Sequence, residues 1–175
     1  MLTKIVLVIL SFSIVLMGCA GSTVIWSSDP TFQQVENPYF RAVVEPKRDE
    51  NGLYVAFQVE VTNKSNENLT IDWNETQYLF QGKIAGQLVF TGIALKEVRE
   101  YKVPSEEITP GQTIVKEVGP LCFVVFTPSR NKSVNMEQSQ ISFGPLPAGY
   151  NGIQLVIRTV DKAIVEHLQM KLSKL

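Results

Sequence analysis

The chain has 175 residues, of which 45% are hydrophobic, and its 16 Lys and Arg residues nearly balance its 17 Asp and Glu residues. The formal net charge is −1, and no basic stripe occurs, so composition favours neither nucleic acid nor an anionic membrane surface as a partner. This length predicts one domain with a substantial core.

The first residues have the three-part organisation of a secretory signal. Lys4 supplies a positive charge, Ile5–Met17 is apolar except for two serines, and small residues follow. The apolar stretch is too short for a transmembrane helix, which needs about 20 apolar residues. It ends in Leu16-Met17-Gly18-Cys19, which resembles the lipobox of bacterial lipoprotein signal peptides.

The lipobox resemblance implies where the protein is cut and how it is held. Cleavage would fall between Gly18 and Cys19, and the Cys19 sulfur would carry a diacylglycerol thioether with acyl chains such as palmitate. Two or more acyl chains hold a protein on a membrane durably, at about 0.8 kcal/mol per buried methylene. Ala20 is not the aspartate that marks inner-membrane retention in many Gram-negative lipoproteins. The resemblance therefore predicts a cell-envelope protein, with the outer membrane favoured over the inner or plasma membrane in a Gram-negative host.

Two other interpretations of the leader stay open on sequence grounds. Gly18-Cys19-Ala20 also fits an ordinary signal peptidase site, whose cleavage would release a soluble protein without Cys19. An apolar segment that extends to Ile25 would instead be an uncleaved signal anchor, although several small polar residues weaken it as a spanning helix.

These features predict three regions along the chain. Residues 1–18 form the signal peptide, residues 19–38 hold the lipidated cysteine and a short tether, and residues 39–175 form the folded domain. Within the tether, Asp29-Pro30 predicts a single helical turn that runs to Glu36, since Pro suits the first helical position.

From Tyr39 onward the hydrophobic period is two, which is typical of half-buried strands. The clearest strand is Leu53–Thr62, and Asn51-Gly52 before it predicts a hairpin with Phe40–Glu45. The other predicted strands are Leu69–Asn74, Gln77–Phe80, Gln87–Gly92, Ile114–Gly119, Leu121–Phe126, Ile153–Val160 and Ile164–Leu172. The last two are expected to pair around Asp161-Lys162.

Many short strands with frequent Pro and Gly turns predict an all-β, antiparallel fold. The long connections at Ala94–Thr113 and Thr127–Gln140 favour an immunoglobulin-like β-sandwich over an even up-and-down barrel. The segments that follow resemble uncharacterised bacterial lipoproteins with one β-sandwich domain: Val61–Lys64, Leu69–Asn74, a turn at Gly82–Gly86, Leu88–Gly92 and Ile108–Gly111. That resemblance implies a fold and a cell-envelope setting, and it brings no active site.

If Cys19 is lipidated, Cys122 has no partner within the chain. It lies in the apolar run Leu121–Phe126, so we expect a small buried thiol, with an intermolecular disulfide as the alternative. The run is apolar on consecutive positions and predicts either a central strand or an edge used for pairing with a partner.

No residue pattern predicts catalysis, a cofactor or a metal. The only histidine, His167, falls on the polar face of the last strand, and Asp49-Glu50, Asp72 and Glu106-Glu107 are scattered carboxylates expected to be solvated. The four glycosylation sequons, which start at Asn63, Asn68, Asn74 and Asn131, are interpreted as turn chemistry. The aromatic residues either pack in the core, which we favour, or line a ligand groove: Trp73, Tyr78, Phe80, Phe90 and Tyr101.

The sequence therefore predicts a lipid-anchored envelope lipoprotein that is not an enzyme and acts as a binding or assembly module. Its partner would be an envelope protein that contacts a strand edge or the long loops. The alternative is a carrier of lipid or another small ligand, built as a β-barrel with an apolar cavity. An envelope hydrolase is a third hypothesis, which needs two carboxylates or a Ser-base pair in a cleft.

Overall fold

The computed structural model describes residues 25–93, 95–100, 102–127 and 140–175, so the predicted leader and Cys19 lie outside the described residues. The strands are β1 (Trp26–Asp29), β2 (Gln33–Glu36), β3 (Phe40–Arg48), β4 (Tyr54–Asn63), β5 (Leu69–Ile71), β6 (Gln77–Phe80), β7 (Lys83–Phe90), β8 (Glu106–Ile108), β9 (Thr113–Pro120), β10 (Val124–Thr127), β11 (Gln140–Phe143), β12 (Gly149–Arg158) and β13 (Ala163–Lys174). The helices are α1 (Leu95–Arg99) and a 3₁₀ turn at Leu121–Phe123. The described chain is all-β, as predicted.

One antiparallel sheet contains all strands except the β10–β11 hairpin. Its order is β1-β13-β12-β6-β7-β9-β4-β3-β2, and the short strands β5 and β8 extend it beside β12. The two ends of this path, β1 and β2, follow each other in the chain, with only Pro30–Phe32 between them, and β2 also lies next to β13. The sheet is therefore curled until its two long edges meet.

The strand directions give the sheet two distinct ends. Ile25 and Leu175 meet at one end, where the Leu175 N–H donates to the Ile25 carbonyl at 2.8 Å, together with Arg48 and Tyr54. We call this the entry end, because the described chain enters the sheet there. The turns at residues 37–39, 63–68, 109–112 and 159–162 lie at the opposite, far end.

The core fills the concave side of the curled sheet. Along β4 the inward positions Phe57, Val59 and Val61 are buried, while the outward positions are polar and half-exposed. Opposite them, Ile153, Leu155 and Ile157 of β12 are buried in the same cluster. Alternation with a period of two is what places these side chains on one face.

Strands β5 and β6 act as one interrupted strand along β12. Arg158 and Ile157 pair with β5, while residues 151–154 pair with β6. Between these, the Val156 N–H donates to the Thr76 hydroxyl at 3.1 Å, and the Asp72 N–H donates to the Val156 carbonyl at 3.1 Å. The loop over residues 72–76 therefore leaves the strand line while the backbone groups of β12 stay satisfied.

Several predicted hairpins are confirmed. Gly52 turns between β3 and β4 with a φ of +78°, a conformation that glycine adopts without steric cost. The Asp49 carboxylate closes this turn by accepting the N–H groups of Asn51 and Leu53. β12 and β13 pair over their length, with Arg158 opposite Ala163 around the predicted turn.

Other predictions are wrong. The segment expected to form a helical turn between Asp29 and Glu36 contains β1 and β2, so the sheet begins inside the predicted tether. The predicted strand Leu121–Phe126 begins instead with a 3₁₀ turn, and Cys122 on it is exposed rather than buried. The predicted long loop at Ala94–Thr113 contains α1 and β8, and residues 128–139 of the other predicted loop lie outside the described residues.

Candidate functional site

The entry end is where the predicted anchor would join the domain. Cys19 lies outside the described residues, and residues 20–24 separate it from Ile25. Trp26 then pairs with Lys174, and Asp29 pairs with Lys171. Because consecutive residues span at most about 3.3–3.6 Å each, Cys19 lies within about 20 Å of Ile25.

Four aromatic and basic side chains fix the chain at this end. The Arg48 guanidinium donates to the Trp26 carbonyl at 2.7 Å and to the Tyr54 hydroxyl at 2.8 Å, and it lies 4.7 Å from the centre of the Tyr54 ring. The Lys174 ammonium lies 5.3 Å from the centre of the Trp26 ring. The first strand is therefore held by β13 and also by a side chain from β3.

An open depression of about 430 Å³ borders these residues. Its lining residues are Thr31, Glu45, Pro46, Lys47, Arg48 and Tyr54. The Arg48 donors that face Tyr54 and Trp26 are already engaged. The depression offers a shallow, mixed-charge surface rather than an enclosed ligand site.

A second polar centre lies where β5 ends and β12 turns into β13. The Arg158 guanidinium contacts the Asp72 carboxylate at 2.9 Å and the Glu75 carboxylate at 2.7 Å. Burial alone would raise the pKa of Asp72, but hydrogen bonds from Arg158 and from the backbone of Glu75 and Asn74 outweigh it and lower that pKa. The hydrogen bond to Asp72 raises the pKa of Arg158. An ion pair that holds both charges in place serves to fix the loop.

The same loop clamps the segment that follows α1. The Asn74 side chain donates to the Val103 carbonyl at 2.9 Å and accepts the Val103 N–H at 3.0 Å. This two-way pairing borders an open depression of about 660 Å³. Its other lining residues are Lys96, Glu97, Glu100, Lys102, Pro104 and Ser105. The clamp positions a charged, exposed segment beside the edge strand β8.

The sheet interior holds one polar network at the entry end. The Tyr78 hydroxyl donates to Asn151 Oδ1 at 2.5 Å, and the Asn151 amide donates to the carbonyls of Pro147 and Gly149. Burial raises the pKa of Tyr78. The ring of Phe123 meets Tyr78 edge-on, with 6.2 Å between centroids. The network binds the chain before β12 to the β6–β7 hairpin, and its role is structural.

The residues that the sequence raised as candidates lie on different elements, although Asp72 follows Ile71, which pairs with Glu106. His167 is exposed, as predicted, and lies 3.1 Å from the Gln154 side chain. Asp49 closes a turn, while Glu106 pairs with Lys116 at 3.1 Å near β8. Within the described ranges, no group of three or more His, Cys, Asp or Glu residues is arranged to hold a metal ion.

The aromatic residues are mainly core residues, as favoured from the sequence. Trp73 and Tyr78 are almost completely buried, and Phe80 and Phe90 are half-buried and pack against the core. Tyr101 lies outside the described residues. Of the sequon asparagines, Asn63 is buried and donates to the carbonyls of Glu67 and Ile108, so it is turn chemistry as predicted.

Two residue sets escaped sequence reasoning, the Arg158–Asp72–Glu75 cluster and the Asn74 clamp. Their members are up to 86 positions apart in sequence, and no spacing pattern links them. The antiparallel pairing of β5 with β12 brings the first set together, and the pairing of β5 with β8 brings the second together.

Comparisons with protein-family models, with curated proteins and with solved structures find no match for this chain. In the part of the chain that the structure describes, no helix has the length and apolar character needed to cross a membrane.

Proposed function

We propose that this chain is a lipid-anchored lipoprotein of the cell envelope and acts there as a non-catalytic binding or assembly module. The observation that carries the proposal is the lipobox-like Leu16-Met17-Gly18-Cys19, placed a few residues before the sheet begins at Trp26. A lipid on Cys19 would hold the folded domain directly at a membrane, with the outer membrane favoured in a Gram-negative host.

We also propose that the curled sheet is an immunoglobulin-like sandwich. The strand order supports this, because β1-β13-β12-β6 and β7-β9-β4-β3-β2 form two halves that face each other across one core. The first two strands belong to different halves, since β1 pairs with β13 and β2 pairs with β3. Such a body presents loops and edges on a rigid scaffold.

The surface best suited to a protein partner is the β8 edge with the segment before it. Among the described strands β8 pairs only with β5, so one side of its backbone is open to a further strand. The Asn74 clamp holds the adjoining residues 102–105 in position. Lys102, Pro104 and Ser105 are exposed there.

A binding role agrees with how the polar side chains are engaged in the fold. The Asp72 carboxylate is occupied by Arg158, and the only histidine is exposed on the sheet. Catalysis by paired groups needs them to converge on a substrate with suited pKa values. Among the described residues, charged side chains such as Asp72 and Arg158 instead form ion pairs that hold the fold.

The alternative, a lipid or small-ligand carrier, has less support. A carrier needs an apolar cavity of several hundred Å³ inside the sheet. The concave side here is filled by tightly buried side chains, among them Phe40, Leu69 and Leu155. The two depressions are open and lie on the outer surface.

The anchor is tested by comparing the full chain with Cys19→Ala and Cys122→Ala, produced in a bacterium that processes lipoproteins. The wild type and the Cys122→Ala control should partition into detergent and have the mass of a chain that begins at Cys19 plus its lipid. Cys19→Ala should keep the leader or enter the aqueous phase. Detergent partition and mass unchanged by Cys19→Ala would contradict the proposal.

The binding role is tested in envelope membranes with a photo-crosslinking residue at Ser105, and with the same residue at His167 as a control on the outer face of β13. We expect discrete protein adducts from Ser105 and none from His167. Repeated absence of adducts from Ser105 and from other positions around β8 would count against a partner at this edge.

A further inference from the structure

We propose that the entry end is a membrane-facing surface that rests on phospholipid headgroups and so gives the domain a fixed orientation. The proposal rests on the lipid attachment at Cys19 proposed above. It adds a second contact, made by the folded domain itself, and it names the chemical partner of that contact.

The length of chain between Cys19 and the sheet brings the entry end to the bilayer. At full extension the connection from Cys19 to Ile25 reaches only about 20 Å. An acylated Cys19 lies at the headgroup level, so the domain cannot move far above it. Ile25, Trp26, Lys174 and Leu175 are then the folded residues nearest to the membrane.

Exposed apolar side chains concentrate at this end. Ile25 is 59% exposed, Leu175 80%, and Tyr150, opposite Lys171 near the start of β12, 52%. Ile84 follows the turn between β6 and β7, and Val125 belongs to the β10–β11 hairpin that follows the entry end of β9. The other large hydrophobic residues that the structure shows exposed are spread singly over the remaining surface: Phe32, Val115, Val160 and Val165. Clustered exposed apolar groups mark interaction surfaces, whereas single ones are ordinary.

The basic side chains at this end slightly outnumber the acidic ones. Among the described residues, five basic side chains lie at this end against four acidic ones, and they are Lys47, Arg48, Lys83, Lys171 and Lys174 against Asp29, Glu45, Asp49 and Glu50. The far-end turns carry Lys64 and Lys162 together with Glu67 and Asp161, so their charges balance. Lysine and arginine residues near a membrane are attracted to anionic lipids within a Debye length.

This combination of side chains favours phospholipid headgroups over another protein as the partner of the entry end. Basic side chains surround aromatic and aliphatic ones without a deep apolar groove, and Tyr is a residue that settles at the water–lipid interface. Lys174 over the Trp26 ring and Arg48 over the Tyr54 ring place cations beside aromatic faces at this end. The surface can lie against headgroups without any change in the fold.

The test measures orientation with the full lipidated chain in vesicles of phosphatidylcholine with phosphatidylglycerol. In a Cys122→Ser background a fluorophore is attached at Asn51→Cys, in the entry-end turn, or at Val160→Cys, at the far end. A quencher on lipid headgroups should reduce the Asn51 signal several-fold more than the Val160 signal. Reversing two entry-end charges, Lys83→Glu with Lys171→Glu, should reduce that difference, whereas the matched Lys96→Glu with Lys162→Glu should preserve it.

The outcomes separate the two proposals. Equal quenching at the two positions in a chain whose mass includes the lipid would overturn the membrane-facing surface and leave the anchor intact. A chain without lipid that fails to sediment with vesicles would instead overturn the proposed function. Discrete protein adducts from a crosslinker at Asn51 in envelope membranes would also overturn the inference, in favour of a protein occupant.

Discussion

The Tyr78 hydroxyl and Asn151 Oδ1 form a buried hydrogen bond of 2.5 Å that joins β6 to the start of β12. Tyr78→Phe removes the donor and leaves the Asn151 oxygen without this partner in a dry site. An unsatisfied buried acceptor costs about 1–3 kcal/mol, so we expect the free energy of unfolding to fall by that amount. Urea unfolding at neutral pH measures it.

Tyr150→Phe is the matched control for this change. Tyr150 directly precedes Asn151 on β12, and its side chain is exposed. It should shift the stability by less than about 0.5 kcal/mol. Equal effects of the two substitutions would show that the buried hydrogen bond is not what stabilises this part of the sheet.

The pKa of Asp72 predicts an acid-dependent contribution to stability. Because the folded pKa is lowered, the contribution is present above the unfolded pKa of about 4 and is lost as the pH falls through the folded value. Asp72→Asn keeps the acceptor for the turn N–H groups and removes the charge. At neutral pH it should cost at most about 1 kcal/mol, since Arg158 is substantially exposed and solvent screens the pair.

The comparison is made by urea unfolding at neutral pH and at a series of lower pH values through which Asp72 in the wild type becomes protonated. The two proteins should differ at neutral pH and converge in acid. Asp161→Asn, in the exposed turn before β13, should leave the stability unchanged at neutral pH. A difference between wild type and Asp72→Asn that stays constant with pH would rule out the charge as its origin.

The clamp between Asn74 and Val103 predicts a local effect on the segment after α1. Asn74→Ala removes both hydrogen bonds at once. We expect a loss of about 1–2 kcal/mol and faster hydrogen exchange of the Val103 amide. Asn66→Ala, in the exposed turn after β4, is the control and should leave exchange at residues 102–105 as it is. Unchanged protection in Asn74→Ala would mean that other contacts hold this segment.

Gly119 is the contact point for the β10–β11 hairpin. A Cβ atom at this position would overlap the ring of Phe143, so Gly119→Ala should displace the hairpin and cost about 1–3 kcal/mol by overpacking. Hydrogen exchange of residues 124–127 and 140–143 should rise with it. Adding Phe143→Ala relieves the overlap, so Gly119→Ala should then cost less than it does alone. Equal costs in both backgrounds would place the strain elsewhere.

The period-two pattern was enough to predict the central strands. Phe57–Thr62 of β4 and His167–Lys171 of β13 alternate buried apolar residues with more exposed polar ones, and packing on one core imposes this alternation. β1 and β2 lack the signal, because Ser27, Ser28 and Asp29 offer no alternation of apolar residues. They are strands because their backbone pairs with β13 and β3, and local sequence carries no information about that.

Cys122 shows how an apolar run misleads. Five apolar neighbours predicted a strand covered on both faces, but Pro120 precedes a 3₁₀ turn and the thiol points out of it. Leu121 and Phe123, on either side, pack against the core.

The candidate sites were predictable only in part. The exposure of His167 could be predicted from its position in the alternating pattern of the last strand. The Arg158 cluster and the Asn74 clamp could not, because they depend on pairing between strands that are distant in sequence.

The direction of β1 determines how the domain would respond to tension on the proposed tether. β1 runs inward from the entry end beside β13, so a pull on Ile25 away from the domain acts along the strand axis. The hydrogen bonds between β1 and β13 are then sheared together instead of opening one after another. A domain fastened in this way resists drag at the surface through its first strand, and the Arg48 contact to the Trp26 carbonyl bears part of the same load.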